Sequence, residues 1–283
     1  MIRDTCYKST VDHIGAWIEA RVKEAKCKTA VVGISGGADS ALVAIICKRV
    51  LPDMVGVLMP CHSSNVAVQR GTELCEKFDI RHLTIDLSIP HDYIIKTIRD
   101  SSLLDVDNKM AQAALRSCLR SPPLDIVAKL VNGLIVGTGN RDEDEFARYY
   151  QKRGDGAVDC SPIAKLHKSE EYQLLNYLGC PKSIIDAVPT ADLWGPDSDQ
   201  EDEKEMGISY DEMEWAIRQD DKYGLISIEC ARVSVDVLLS YTERQRAVII
   251  KLREMDRASR HKALPPPVLE LRDELFHAFV DIP

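Results

Sequence analysis

Positive charge in excess, long apolar runs, paired cysteines and repeats are all missing from this sequence. Each absence excludes a class of protein. A formal net charge of −9 leaves no basic footprint for nucleic acid. No apolar stretch approaches the length needed to cross a bilayer, and the opening MIRDTCYKST lacks signal-peptide character. The nine cysteines are scattered, with neither C-x-x-C nor a paired zinc spacing, which reads as free buried thiols in a reducing cytoplasm. No internal repeat or low-complexity tract points to a solenoid or a disordered arm. What is present is a chain of 283 residues, 45% hydrophobic, enough for one large core or for one core with an appendage.

The chain is organised around residues 30–47, AVVGISGGADSALVAIIC. Ala30 to Ile34 is an apolar run of strand type, Ser35 to Ser40 a turn of small residues, and Ala41 to Cys47 a helix apolar on all sides. Strand, glycine turn and helix together aim free backbone N–H groups at an anion. Gly36 and Gly37 let the backbone approach a phosphate, and Ser35 and Ser40 add hydroxyl donors. Asp39 would repel that ligand unless a divalent cation lies between carboxylate and phosphate. No lysine follows Gly37, which excludes a Walker loop, and Gly33, Gly36 and Gly37 do not fit a dinucleotide fingerprint. The same residues also suit an ordinary strand-turn-helix in which Asp39 and Ser40 merely cap.

Strand and helix patterns alternate through the first two thirds. Val11 to Lys26 reads as an amphipathic helix with Val11, Ile14, Ile18 and Val22 on one stripe. Strands are expected at Met54–Met59, Arg81–Leu87 and Leu134–Val136, with helices at Ser63–Phe78, Pro90–Leu104 and Lys109–Val131. Ser121-Pro122-Pro123 should kink or break the last of these, and Arg116 and Arg120 share one of its faces. Lys168 to Leu178 is a helix ended by Gly179. This rhythm predicts an α/β fold: a parallel, doubly wound, Rossmann-like sheet with a helical C-terminal part. Ligands should then gather at the carboxyl ends of the strands. There Met59, followed by Pro60, either borders an adenine or simply ends a strand. The expected layout is one unit, residues 1–283: helix 11–26, α/β core about 29–185, mobile acidic loop about 189–207, helical part 208–283.

The hexapeptide SGGADS resembles the pyrophosphate loop, SGGxDS, of N-type ATP pyrophosphatases, the adenine nucleotide alpha hydrolase-like group. Downstream, Gly137-Thr138-Gly139-Asn140-Arg141-Asp142-Glu143 resembles the GTxNxxE segment of NAD synthetases. Lys152-Arg153-Gly154-Asp155-Gly156 followed by Asp159 is similar to their KYGDG…D stretch, with Arg153 in place of tyrosine. Ser161-Pro162-Ile163 with Leu166 and Lys168, Pro189-Thr190-Ala191-Asp192-Leu193, Gln200 to Ile208, and His261-Lys262 continue the resemblance in order. The helix before strand four departs from the family's N-x-x-A-R-x-R and offers Arg116 and Arg120 instead.

The resemblance implies that deamido-NAD, ATP and ammonia give NAD, AMP and pyrophosphate through an adenylylated carboxylate. It implies ATP contacts from Gly33, Ile34, Ala38 and the loop residues Ser35, Gly36, Gly37, Asp39 and Ser40. Met59, Thr138, Lys168 and Thr190 join them. Asp39 and Glu143 would hold Mg²⁺. Lys152, Asp159, His261, Lys262 and one of Arg116 and Arg120 would contact deamido-NAD, and Asp155 would help form the ammonia pocket. Asp39, Lys168 and Asp155 are thus the expected catalytic positions. A cytoplasmic homodimer is implied, with no nucleic acid or membrane partner. The length leaves no room for a glutamine-hydrolysing domain, so free ammonia is the expected nitrogen donor unless a separate glutaminase subunit delivers it. Two rivals stand beside this reading: an ATP pyrophosphatase amidating a different small carboxylate, and a non-catalytic adenine-nucleotide sensor.

Overall fold

A computed structural model describes residues 2–190, 192–194, 201–226 and 235–269. Ala191 and Gln200, part of the quoted motifs, lie outside the described residues, as does the end of the expected helical part. Strands β1 (Thr29–Gly33), β2 (Val55–Leu58), β3 (Arg81–Thr84) and β4 (Gly133–Ile135) form one parallel sheet in the order β3-β2-β1-β4. Val31 of β1 lies opposite Val55 on one side and Ile135 on the other. The chain runs outward from β1 through β2 to β3, then returns to the far side of β1. The strand order therefore reverses between β1 and β4, which opens a crevice at their carboxyl ends.

Alternation along β1 divides the core. Ala30 and Val32 point into a layer with helices α1 (Ile2–Glu24), α2 (Ala38–Val50) and α7 (Lys168–Leu178). Val31 points into the opposite layer, with Val55, Val57, Ile135 and helix α6 (Ser121–Val131). α2 is buried along most of its length because both its faces meet protein, as its unbroken apolar run requires. Ile18, Leu42, Ile45 and Ile46 are fully buried, each stabilising the fold by about 1.5–3 kcal/mol relative to exposure. α3 (Asn65–Lys77) is capped by Ser64, whose hydroxyl accepts from the Ala67 N–H at 3.2 Å. β3 is an edge strand with four exposed residues and stops at Thr84, short of the expected Leu87.

Three further segments are defined by the structure. The expected helix 109–131 is two helices, α5 (Lys109–Cys118) and α6, because Pro122 and Pro123 occupy the first turn of α6, where no N–H is needed. Arg116 therefore belongs to α5, while Arg120 is the residue that precedes α6. The acidic loop about 189–207 contains a helix, α9 (Asp202–Met206), held by the burial of Asp202 and Met206. The charged stretch after β4 forms a turn of π-helix, Glu143–Ala147.

Helices α4 (Ser88–Ser101) and α8 (Lys182–Ile185) complete the α/β part. The C-terminal helices α10 (Tyr210–Tyr223), α11 (Val235–Leu239) and α12 (Glu243–Ala263) build a second apolar core around Met213, Ile217, Val248 and Leu252. Phe146 of the π turn enters that core, and the buried Arg148 guanidinium donates to Asp256 Oδ1 on α12 at 2.8 Å. The second core is thus fastened to the loop that follows β4.

Candidate active site

At the carboxyl ends of β1 and β4 lies a cavity of about 540 Å³. Gly33 to Asp39 line one wall, Gly137 to Gly139 with Glu143 and Asp144 another, and Lys168, Thr190 and Lys262 reach it from later segments. Met59 lies at its edge, beside Gly33.

The loop after β1 is held open by its own side chains. Ser40 Oγ accepts from the Ser35 N–H at 3.2 Å and lies 2.9 Å from Ser35 Oγ, while Ser35 Oγ accepts from the Gly37 N–H at 3.1 Å. Ser40 is buried and braces the loop from beneath, outside the cavity lining. Gly36 sits at φ 85°, and a Cβ there would come within 2.3 Å of the Ala67 carbonyl oxygen. Only glycine fits both conditions.

The charged centre joins three loops. Lys168 Nζ, at the start of α7, donates to Asp39 Oδ1 and Oδ2 at 2.6 and 2.8 Å and to Glu143 Oε1 at 3.2 Å. Asn140, wholly buried, donates to Asp39 Oδ1 at 3.2 Å and accepts from the Glu143 N–H at 3.0 Å, so one amide sets both acids. The Tyr210 hydroxyl donates to Glu143 Oε1 at 2.6 Å. The backbone N–H of Lys168 reaches Asp142 Oδ2 at 2.7 Å, and His167 Nδ1 lies 2.6 Å from Asp142 Oδ1. The lysine is therefore fixed at both ends.

Burial opposes the charge on Asp39, but the Lys168 ammonium and hydrogen bonds from Glu171, Lys168 and Asn140 outweigh it and hold its pKa below the ordinary value. Burial likewise opposes the Lys168 charge, and Asp39 and Glu143 override it, raising its pKa well above normal. Glu171 is the reverse case. Burial, then the neighbouring Asp39 charge, push its pKa well above the usual range. Both of its carboxylate oxygens are buried. Asp144 is pushed up to about 7 by burial, then by Glu143 and Asp39.

The remaining expected residues divide. Thr138 and Thr190 line the cavity. Asp155 also lines it, accepting from Ser117 Oγ at 2.5 Å, with Arg120 Nη1 at 3.6 Å. Arg116 turns to the Leu193 carbonyl instead. Lys262 lines the cavity and donates to the carbonyls of Arg148 and Tyr150 at 2.9 and 2.7 Å. Lys152 and His261 lie outside the lining: Lys152 Nζ donates to the His261 carbonyl at 2.8 Å and also to that of Leu264. Asp159 is used structurally, its Oδ2 accepting from the Ile135 N–H at 2.9 Å beside β4. Sequence reasoning missed Asn140, Asp142, Glu171 and Tyr210 as parts of the centre. Asn140 and Asp142 sit inside the quoted GTGNRDE run, which was their signal; Tyr210 opens a distant helix and carried none.

The two carboxylates of Asp39 and Glu143 converge on one cation, Lys168 Nζ, from separate loops. Hard carboxylate oxygens of this kind, beside the glycine loop, fit Mg²⁺ bound together with phosphate.

The sequence profile of the NAD synthase family matches residues 10–266. An NH(3)-dependent NAD(+) synthetase of Mesoplasma florum is 36% identical over 251 residues, covering 88% of this chain and 98% of that protein. Its counterpart from Syntrophomonas wolfei is 33% identical over 271 residues, covering 95% and 98%. Among solved structures, an NMN synthetase from Francisella tularensis superposes with a TM-score of 0.77 at 25% identity, covering 94% of this chain and 99% of that one. An NH3-dependent NAD synthetase from Campylobacter jejuni, in complex with nitrate, gives 0.71 at 25% identity, covering 93% and 99%. Sheet order, glycine loop and family profile agree over nearly all of the described residues, and the chain belongs to the NAD synthase family.

Proposed function

We propose that this chain amidates deamido-NAD with ammonia, using ATP and releasing AMP and pyrophosphate. The observation that carries the proposal is the Asp39–Lys168–Glu143 centre, set beside the glycine loop at the strand-order reversal. The names of the relatives, matched over most of their length, support the same reaction.

The chemistry needs no side-chain nucleophile: the substrate carboxylate attacks the α-phosphorus, and ammonia then displaces AMP. Catalysis is positioning and charge neutralisation. Gly33, Ile34 and the loop from Ser35 to Asp39 would hold the phosphates, with Ser40 as brace. Lys168 balances the charge that develops as pyrophosphate leaves. Mg²⁺, held by Asp39 and Glu143, would supply Lewis-acid stabilisation of that charge. Met59 would flank the adenine, and Thr138 and Thr190 the nucleotide. Arg120, Asp155 and Lys262 face the cavity from the side left for the acceptor.

The working form proposed is a homodimer. α4 and α6 each carry an exposed apolar pair one turn apart, Ile89 with Tyr93 and Ile126 with Leu130, and Met110 of α5 is exposed as well. No helix among the described residues is long and apolar enough to cross a membrane. The free thiols of Cys47, Cys61 and Cys75 suit a reducing cytoplasm as the place of action.

The test is AMP release by the purified chain with MgATP, ammonium and a panel of carboxylates. The panel includes nicotinic acid mononucleotide, because one similar structure is an NMN synthetase. Strict dependence on deamido-NAD supports the proposal; a preference for another acid, or binding of ATP without turnover, refutes it.

A further inference from the structure

Outside the cavity, two histidines and an aspartate converge where the loop after β2 meets the start of α4. His62 Nε2 lies 2.7 Å from Asp92 Oδ1, and His91 Nδ1 lies 3.1 Å from the same oxygen. The candidate donor atoms of all three residues lie within 4.8 Å of one another. In a tetrahedral zinc site with bonds of about 2.0–2.1 Å, neighbouring donors are separated by roughly 3.3 Å. The two spacings to Asp92 fall short of that by about 0.6 Å or less, within reach of a small adjustment of its exposed side chain.

We propose that His62, His91 and Asp92 form a binding site for a borderline divalent cation of the zinc class. Two imidazoles and one carboxylate suit Zn²⁺, Co²⁺, Ni²⁺ or Cu²⁺ and disfavour Mg²⁺, which prefers oxygen ligands. The site is therefore chemically distinct from the Asp39–Glu143 pair. Three protein ligands leave a fourth position to water, the pattern of an open zinc centre.

The ligands are held before any ion arrives. His62 has a left-handed backbone, φ 53°, and its N–H donates to Ser88 Oγ at 3.0 Å. The Cys61 N–H donates to Ser63 Oγ at 3.2 Å, and the Leu87 N–H to the Pro60 carbonyl at 2.7 Å. His91 is 3% exposed, so packing fixes its ring. Ordering cost on binding is correspondingly small. Pro60, Ser63 and Ser64 of the same loop line the nucleotide cavity, so the cation would pin that rim to α4.

Co²⁺ absorption and calorimetric titration with Zn²⁺, on the chelator-treated full chain, test the site. His62→Ala and Asp92→Asn are the variants, because both positions are solvent-accessible and His91 is not; circular dichroism checks their fold. The expected result is one equivalent bound with Co²⁺ bands of nitrogen and oxygen ligation, and affinity lowered at least about tenfold in each variant. Wild-type affinity in either folded variant overturns the proposal, as does ligation by cysteine thiolates alone.

Discussion

Asp39 is the residue on which most of the geometry bears. It receives two hydrogen bonds from Lys168 and one from Asn140, so its carboxylate is aimed before any ligand binds. Asp39→Asn keeps the shape and removes the charge. Turnover with MgATP is expected to fall by about 10²–10³-fold, the scale lost with one preorganised electrostatic contact. The circular dichroism spectrum should remain that of the wild type; near-normal AMP release would remove Asp39 from the mechanism. SGGADS made Asp39 legible from the sequence. Glu171 was not legible, since an acid in a helix reads as solvated until the helix is seen turned inward.

Among the elements, those with a plain apolar period were found: α2 by its unbroken run, α7 by its terminal Gly179, and α1 by its stripe, although α1 runs Ile2–Glu24 and not 11–26, because the residues before Val11 lack the apolar stripe. The π turn and α9 were not, because their residues are charged and only tertiary contacts hold them. Phe146 in the second core and Arg148 against Asp256 do this for the π turn. Arg141, just before that turn, bonds Asp221 of α10 through both guanidinium nitrogens and also Glu145. The hydrogen bonds from Arg141 hold Asp221 below its ordinary pKa; burial opposes the Glu145 charge, but Arg141 and Lys165 outweigh it. Both acids have folded pKa values below their unfolded ones of about 3.9 and 4.3, so the stability they add is present above that range. It is lost as pH falls through the lower folded values. Arg141→Met should therefore lower Tm at pH 7, and the gap to wild type should narrow below about pH 4 in a series of thermal melts.

At the scale of the molecule, the parallel sheet and the position of the cavity followed from the β-α alternation, since reversal of strand order needs only the connectivity. The second apolar core did not, because α10 and α12 show charged faces in sequence and reveal their buried sides only when paired. The exposed apolar positions of α4 and α6 are the face proposed for a second copy of the chain. Leu130 is 80% exposed on it. Leu130→Glu should shift sedimentation from dimer towards monomer and leave the monomer folded; an unchanged dimer would move the interface elsewhere.

The lysine between the two acids has a consequence for the protein at rest. Its ammonium acts as a resident counterion, so the centre is spared the mutual repulsion of bare carboxylates. Stripping divalent ions with EDTA should thus silence turnover yet leave the melting temperature almost untouched. Metalloproteins whose architecture depends on their ion collapse under the same treatment.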